Sequence, residues 1–291
     1  MKVLLTGATG FIGRHVLAEL LRQNVEVAVT GRTPPSGYSG EFIHSDLLEP
    51  GACKHVAKQS RATHLLHLAW YAEHGLYWSS TLNLRWLDAS LQLFDAFCKN
   101  GGKRILGIGT CAEYDWATGY LREDDSLINP STLYGAAKDA TRRLAYHVCN
   151  SQGVPFVWCR IFFPYGPGED ERRLIPSLIR VFKRASPPFG INGHAYRDML
   201  HVEDVSRALT KLLFSNSTGV YNIASGQPTL LSDVVSILAE SAGKDPGIVL
   251  NLATARPNDP PLLIGDNNKL LATGWTMQKS LVEYLRDIMN V

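Results

Sequence analysis

The chain is predicted to fold as an α/β protein with a doubly wound parallel sheet and a smaller C-terminal substrate-binding region. Three observations carry this prediction. Short apolar runs alternate with longer helical patterns as far as Phe162. Glycines punctuate the first strand-to-helix junction, Gly7 to Gly13. After Pro164 the texture changes, and Pro and Gly become frequent.

Residues 2–6 read as a buried first strand ending at Gly7. Residues 13–22 have helical spacing, with Val16, Leu17, Leu20 and Leu21 as the expected inner face. Residues 26–30, 42–44 and 64–68 read as further strands, and 81–100 as a long helix. In that helix Leu84, Leu87 and Leu91 suit the sheet or a partner helix equally. Residues 104–109 and 156–162 read as strands flanking a helix over 132–150. Such alternation implies right-handed crossovers and a sheet covered on both faces. Helices follow over 174–184, 201–214, 232–242 and 280–289, with a strand over 219–223. The expected main domain is 1–165 plus about 198–226; the smaller one is about 166–197 plus 227–291.

A length of 291 residues suits one large domain or two. The formal charge is only +2 and the basic residues are scattered, so neither nucleic acid nor an acidic membrane is an expected partner. The five cysteines show neither metal spacing nor a disulfide framework, which fits a reducing compartment. The apolar start at Val3-Leu4-Leu5 is broken at Thr6-Gly7, too soon for a secretory leader, and no apolar run reaches the length of a membrane span. A cytoplasmic location is expected, with no metal.

Gly7-Ala8-Thr9-Gly10-Phe11-Ile12-Gly13 lies between a strand and a helix. Glycines there allow a tight turn, close approach to a pyrophosphate and close helix–strand packing. The helix N-terminus favours the anion. A dinucleotide is therefore expected, although the spacing is not that of the simple fingerprint, and an ordinary turn is the plain alternative. At the end of the second strand, Thr30-Gly31-Arg32-Thr33 offers no acid for a ribose hydroxyl. Arg32 instead suits a 2′-phosphate, which points to NADP over NAD; a solvated surface arginine is the alternative. Asp46 is placed to meet the adenine amino group or to cap a helix before Leu47-Leu48. Tyr134 and Lys138 fall one turn apart on one helix face. A cation beside a phenol favours the phenolate, which suits proton exchange with a carbinol or ketone oxygen.

Together these residues resemble the extended short-chain dehydrogenase/reductases, in the branch of NAD(P)-dependent epimerases, dehydratases and 4-ketoreductases that act on nucleotide sugars. The likeness spans Thr6 to Gly13, His67-Leu68-Ala69, Asn83, Tyr134 to Lys138, Arg197 to Asp204, Tyr221 to Ala224 and Arg256 to Pro260. It implies a Rossmann domain and a C-terminal domain for the nucleotide-diphosphate sugar. It also implies a catalytic set of Thr110, Tyr134 and Lys138, with Thr110 in register with Tyr114. Implied cofactor contacts are Gly7, Thr9, Gly10, Phe11, Ile12, Gly13, Arg32, Asp46, Leu47, Leu68, Ala69, Asn83, Tyr134 and Lys138. Implied substrate contacts are Trp70, Tyr71, Thr110, Cys111, Arg197 and Arg256, the arginines meeting the diphosphate unless they form ion pairs with Asp198 or Asp259. Trp78 joins Trp70 and Tyr71 as a pocket wall or as plain core. Phe163 stands where many relatives have Asn, which points to a shifted sugar-nucleotide pose. Relatives of this kind form homodimers through helices like 81–100 and 132–150.

The same resemblance separates the reactions. Dehydratases of this branch carry Asp-Glu after the Thr; here Cys111 and Ala112 occupy those places, and Glu113 comes one residue late. Reductases that also epimerise carry Cys where this chain has Ala112. The expectation is NADPH-dependent reduction of a 4-keto-6-deoxy nucleotide sugar, in deoxysugar biosynthesis. The alternatives are a 4-epimerase with tightly bound NAD and a dinucleotide-binding sensor without turnover.

Overall fold

The computed structural model describes residues 1–252 and 259–290. Its strands are β1 (Lys2–Thr6), β2 (Glu26–Gly31), β3 (Glu41–His44), β4 (His64–His67), β5 (Arg104–Thr110), β6 (Tyr120–Leu121), β7 (Phe156–Ile161), β8 (Phe163–Tyr165), β9 (Tyr196–His201), β10 (Gly219–Ile223), β11 (Pro228–Leu230) and β12 (Leu262–Gly265). The helices are α1 (Phe11–Arg22), α2 (Ala52–Ser60), α3 (Leu82–Lys99), α4 (Leu133–Ser151), α5 (Leu174–Phe182), α6 (Val202–Leu213), α7 (Leu231–Ser241), the short α8 (Gly247–Leu250) and α9 (Asn268–Leu271), and α10 (Leu281–Asn290).

Seven strands form one sheet in the order β10-β7-β5-β4-β1-β2-β3. Every pairing in it is parallel. The strand order reverses its march between β1 and β4, the crevice where doubly wound sheets bind ligands. Consecutive residues of β1 serve opposite faces. Val3 and Leu5 join the core under α1 and α6, while Leu4 joins the core under α2, α3 and α4. The strand predicted over 219–223 therefore returns to the main sheet, beside β7.

A second, smaller sheet runs β11-β9-β12-β6, with β8 also on β9. Its core gathers Tyr165, Ile175, Leu178, Met199, Leu231, Val234 and Leu238 from the later part of the chain. Three details differ from the sequence reading. Leu21 is 46% exposed, because α1 turns only Gly13, Val16, Leu17 and Leu20 inward. Leu84 is exposed as well, and α3 meets the sheet through Ala89, Leu93, Phe94 and Phe97. The helix expected from 201 is preceded by β9, whose His201 accepts the Glu203 amide at 3.3 Å and so caps α6. Among the described residues no helix is long and apolar enough to cross a membrane.

Candidate active site

Absent side chains shape the first wall. Gly7 has a φ of +72°, and a Cβ there would lie 2.7 Å from the Ala69 nitrogen. A Cβ on Gly13 would lie 2.0 Å from the Gly7 carbonyl oxygen. Gly10 is the N-cap of α1 and is exposed, as is Thr9; Phe11 and Ile12 are half-buried. No side chain caps this end, and its leading N–H groups lack intrahelical partners. They form a place for a pyrophosphate.

Behind this loop runs a buried strut. Thr6 Oγ1 accepts the Leu68 and Ala69 amides, each at 3.1 Å, and lies 2.8 Å from His67 Nδ1. His67 Nε2 lies 2.9 Å from Ser90 Oγ on α3. Burial, with the Lys138 charge second, pushes His67 down to about 3, so it stays neutral. At the far end Arg32 is exposed beyond β2, without a polar partner among the described residues. Asp46 accepts the Leu48 amide at 3.0 Å and Leu47 is buried. This bond closes a turn; α2 begins only at Ala52.

The reacting end is assembled where β5 meets α4. Thr132 caps α4 by accepting the Gly135 amide at 3.1 Å. A Cβ on Gly135 would lie 2.2 Å from the Ala112 carbonyl oxygen, so α4 presses its first turn onto the 3₁₀ turn Cys111–Glu113. This packing sets Thr110, at the end of β5, against Tyr134. The Thr110 hydroxyl accepts the Ala112 amide at 3.2 Å and favours ionisation of the Tyr134 phenol. Burial outweighs that pull, and the phenol is held well above its ordinary value. The expected lowering by Lys138 is therefore not what this structure shows. Lys138 is buried and engaged elsewhere. Its Nζ donates to the Ile108 carbonyl at 2.8 Å and sits 3.9 Å from the centroid of the Trp70 ring. Burial lowers it to about 7, against the pull of Glu113.

Aromatic rings line the space around Tyr134. The Tyr77 ring stands 4.8 Å away and the Trp78 ring 5.8 Å, both edge-to-face. The Tyr134 amide donates to the Trp78 carbonyl at 3.1 Å. Trp116 stands 6.5 Å from Trp78 and donates to the Cys111 carbonyl at 2.9 Å. The sequence reading missed Tyr77, although it lies in the same aromatic run as Trp78. Trp70 donates to Asn83 Oδ1 at 2.8 Å, while Asn83 Nδ2 donates to the carbonyls of Tyr77 and Ser80. Asn83 thus spends its amide on holding this loop. Tyr71 is half-buried and joins the cluster through no recorded ring contact or hydrogen bond among the described residues.

Cys111 is buried, and burial pushes its thiol up to about 12, which disqualifies it as a base at neutral pH. All five cysteines are free and buried. Arg197 is buried too. It donates to Asp259 Oδ1 at 2.6 Å and to the carbonyls of Tyr196 and Pro260 at 2.8 and 2.9 Å. The ion pair with Asp259, the plainer of its two readings, is present. Arg256 lies outside the described residues. Among those described, no cluster of His, Cys, Asp or Glu could hold a metal ion.

Several known proteins resemble this chain in sequence and fold. A dTDP-6-deoxy-L-talose 4-dehydrogenase (NAD(+)) of Aggregatibacter actinomycetemcomitans is 26% identical over 241 residues, 81% of this chain and 88% of that protein. A trifunctional UDP-glucose 4,6-dehydratase/UDP-4-keto-6-deoxy-D-glucose 3,5-epimerase/UDP-4-keto-L-rhamnose-reductase of Arabidopsis thaliana is 25% identical over 99% of this chain, which spans 46% of that longer protein. The solved structure of MoeE5 in complex with UDP-glucose and NAD superposes with a TM-score of 0.86 at 30% identity, covering 100% of this chain and 98% of that one. The UDP-glucose 4-epimerase of Thermus thermophilus in complex with NAD gives 0.85 at 26% identity, with coverage of 100% and 98%. The profile of the NAD dependent epimerase/dehydratase family matches residues 3–224, and the chain is an enzyme belonging to that family.

Proposed function

We propose that this enzyme reduces the 4-keto group of a nucleotide-linked 4-keto-6-deoxy sugar with NADPH. One observation sets dehydration aside, and the exposed Arg32 beyond β2 supports reduction with NADPH over epimerisation with retained NAD. Thr110 stands against the Tyr134 phenol and favours its ionisation, and the two residues after Thr110, Cys111 and Ala112, carry no carboxylate. Glu113, the acid nearest in sequence, is fully buried behind the loop and bonded to Trp158 and Arg160. Such a pair exchanges a proton at one oxygen and has no base for removing a proton from carbon, as dehydration requires.

The glycine cradle and the open N-terminus of α1 fit a dinucleotide. When bound, this group supplies hydride to the sugar carbonyl. Tyr134 then protonates the emerging alkoxide, and Thr110 steadies the developing charge with its hydroxyl. Lys138 would hold a ribose hydroxyl of the bound dinucleotide, and its ammonium there would favour the phenolate that Tyr134 leaves behind. Tyr77 and Trp78 keep water from the phenol. Arg32, exposed beyond β2, supports a 2′-phosphate and hence NADP. The region formed by about 166–197 and 227–291 is the seat of the nucleotide sugar. In the same reading Leu84 and its neighbours on α3 join a second copy of the chain.

A second reading, 4-epimerisation with retained NAD, is favoured by the likeness to the UDP-glucose 4-epimerase of Thermus thermophilus. Purified protein given NADPH and 4-keto-6-deoxy nucleotide sugars separates the two. Cofactor oxidation is expected, falling about 10²–10⁴-fold in Tyr134→Phe, with Arg32→Ala weakening NADPH but not NADH. Epimerised sugar formed without added cofactor, and no oxidation with any such sugar, overturns the reductase reading.

A further inference from the structure

We propose that Glu113 is a positioning residue that aims the Thr110 hydroxyl; this rests on the reading of Thr110 and Tyr134 as the reacting pair. Glu113 is fully buried on the turn that follows Thr110. Its Oε1 accepts the Thr110 amide at 2.9 Å and Trp158 Nε1 at 3.0 Å. Its Oε2 accepts Arg160 Nε at 2.8 Å and Trp158 Nε1 at 3.2 Å. Trp158 and Arg160 both belong to β7, the strand paired with β5. One carboxylate therefore bolts the backbone of Thr110 to the neighbouring strand.

Three surrounding features fit the device. A Cβ on Gly109 would lie 2.3 Å from Glu113 Oε1 and 2.2 Å from Trp158 Nε1, so the residue before Thr110 must be bare for the carboxylate to reach. Next to Glu113, the Tyr114 ring lies under the Arg160 guanidinium at 4.3 Å, and its hydroxyl donates to Asn222 Oδ1 on β10 at 2.8 Å. The turn is thus fixed to two strands below, while α4 presses on it from above through Gly135. Stability accounts for the reciprocal cap that Thr110 and Glu113 make across this turn, but gives little reason for joining Arg160 and Trp158 to it. A buried ion pair is often matched or bettered by well-packed apolar side chains. What apolar side chains do not supply is an acceptor for the Thr110 amide.

The test uses the whole protein and two variants, Glu113→Gln and the double change Glu113→Leu with Arg160→Met. The double change replaces the ion pair with apolar volume and frees the Thr110 amide, and it serves if the single variant does not fold. Activity is read by whichever reaction the wild type performs, reduction or 4-epimerisation. The double variant is expected to bind dinucleotide and show a KM within about 3-fold of wild type, with kcat lower by about 10²-fold, as for a misplacement of about 1 Å. In a Thr110→Ala background the same double change is expected to lower kcat by less than about 3-fold, because both act through one hydroxyl. An unchanged kcat, or the full loss repeated in the Thr110→Ala background, overturns the proposal. If the wild type performs neither reaction, the reading of the reaction fails separately. Crystal structures of wild type and variant then decide: a Thr110 hydroxyl shifted from the Tyr134 phenol supports the role, and superposed positions overturn it.

Discussion

The two ends of the cleft are built by opposite means. The dinucleotide end is defined by backbone and by missing side chains. Gly7 and Gly13 exclude a Cβ, and the Thr6–His67–Ser90 strut fixes the wall from behind. The other end is defined by charged side chains from distant segments. Arg197 on β9 holds Asp259, and the neighbouring Asp198 is buried. Asp198 accepts the amides of Ser225, Gly226 and Gly265 and the Ser225 hydroxyl, at 2.6–3.1 Å. A steric cradle is complete before any ligand arrives. If Arg197 meets the sugar nucleotide as proposed, it would exchange Asp259 for a ligand phosphate, and the affinity of this end would be a difference between two ion pairs.

The largest break in this contrast comes from Gly13→Ala. The new methyl meets the Gly7 carbonyl, and overpacking of this kind destabilises by about 1–3 kcal/mol. A lower Tm and loss of dinucleotide binding by titration are expected; a variant that binds normally would show that the loop is soft. Asp259→Ala probes the other end. Arg197 then loses its internal partner, and the nucleotide sugar is expected to bind about 3–10-fold tighter, with dinucleotide affinity unchanged. Weaker sugar binding would mean that the pair pre-positions Arg197.

The smallest effect concerns Lys138. Its ammonium is lowered to about 7, so the charge is present below that pH and is lost as pH rises through it. Dinucleotide affinity of the free enzyme is therefore expected to weaken between about pH 6 and 9, by up to about tenfold, the worth of one pKa unit. Lys138→Met should flatten this dependence. Stability runs the other way. Between about 7 and the ordinary 10.5 the unfolded chain holds a proton that the native chain lacks, so the Lys138 contribution grows with pH. Glu113 opposes the shift, and His67, neutral throughout, carries no charge into it.

Local patterning made the main sheet legible. Each of its strands is a short apolar run, and β1 and β10 coincide with the predicted ranges. The second sheet was not legible. Tyr120–Leu121, Phe163–Tyr165 and Pro228–Leu230 are too short to show a period, and β9 is written with Arg197 and Asp198 at buried positions. Helix α2 was missed because Ala52–Ser60 buries only Cys53, Val56, Ala57 and Ser60, a faint stripe. In the site, the glycines between β1 and α1 and the Tyr134–Lys138 pair on α4 were singled out from local spacing, whereas Thr110 at the end of β5 came from the family resemblance. The engagement of Lys138 by Trp70 and Ile108, and that of Asn83 by the loop 77–80, follow from tertiary packing that no local pattern encodes.

The indoles around Tyr134 give the molecule a built-in reporter. Of its six tryptophans, Trp70 touches Lys138, Trp78 stands beside the phenol, and Trp116 packs edge-on against Trp78. Indole emission overlaps the absorption of a reduced nicotinamide. Arrival of that ring should dim the protein's own fluorescence and brighten the coenzyme's by energy transfer, so occupancy and redox state can be followed optically without any label.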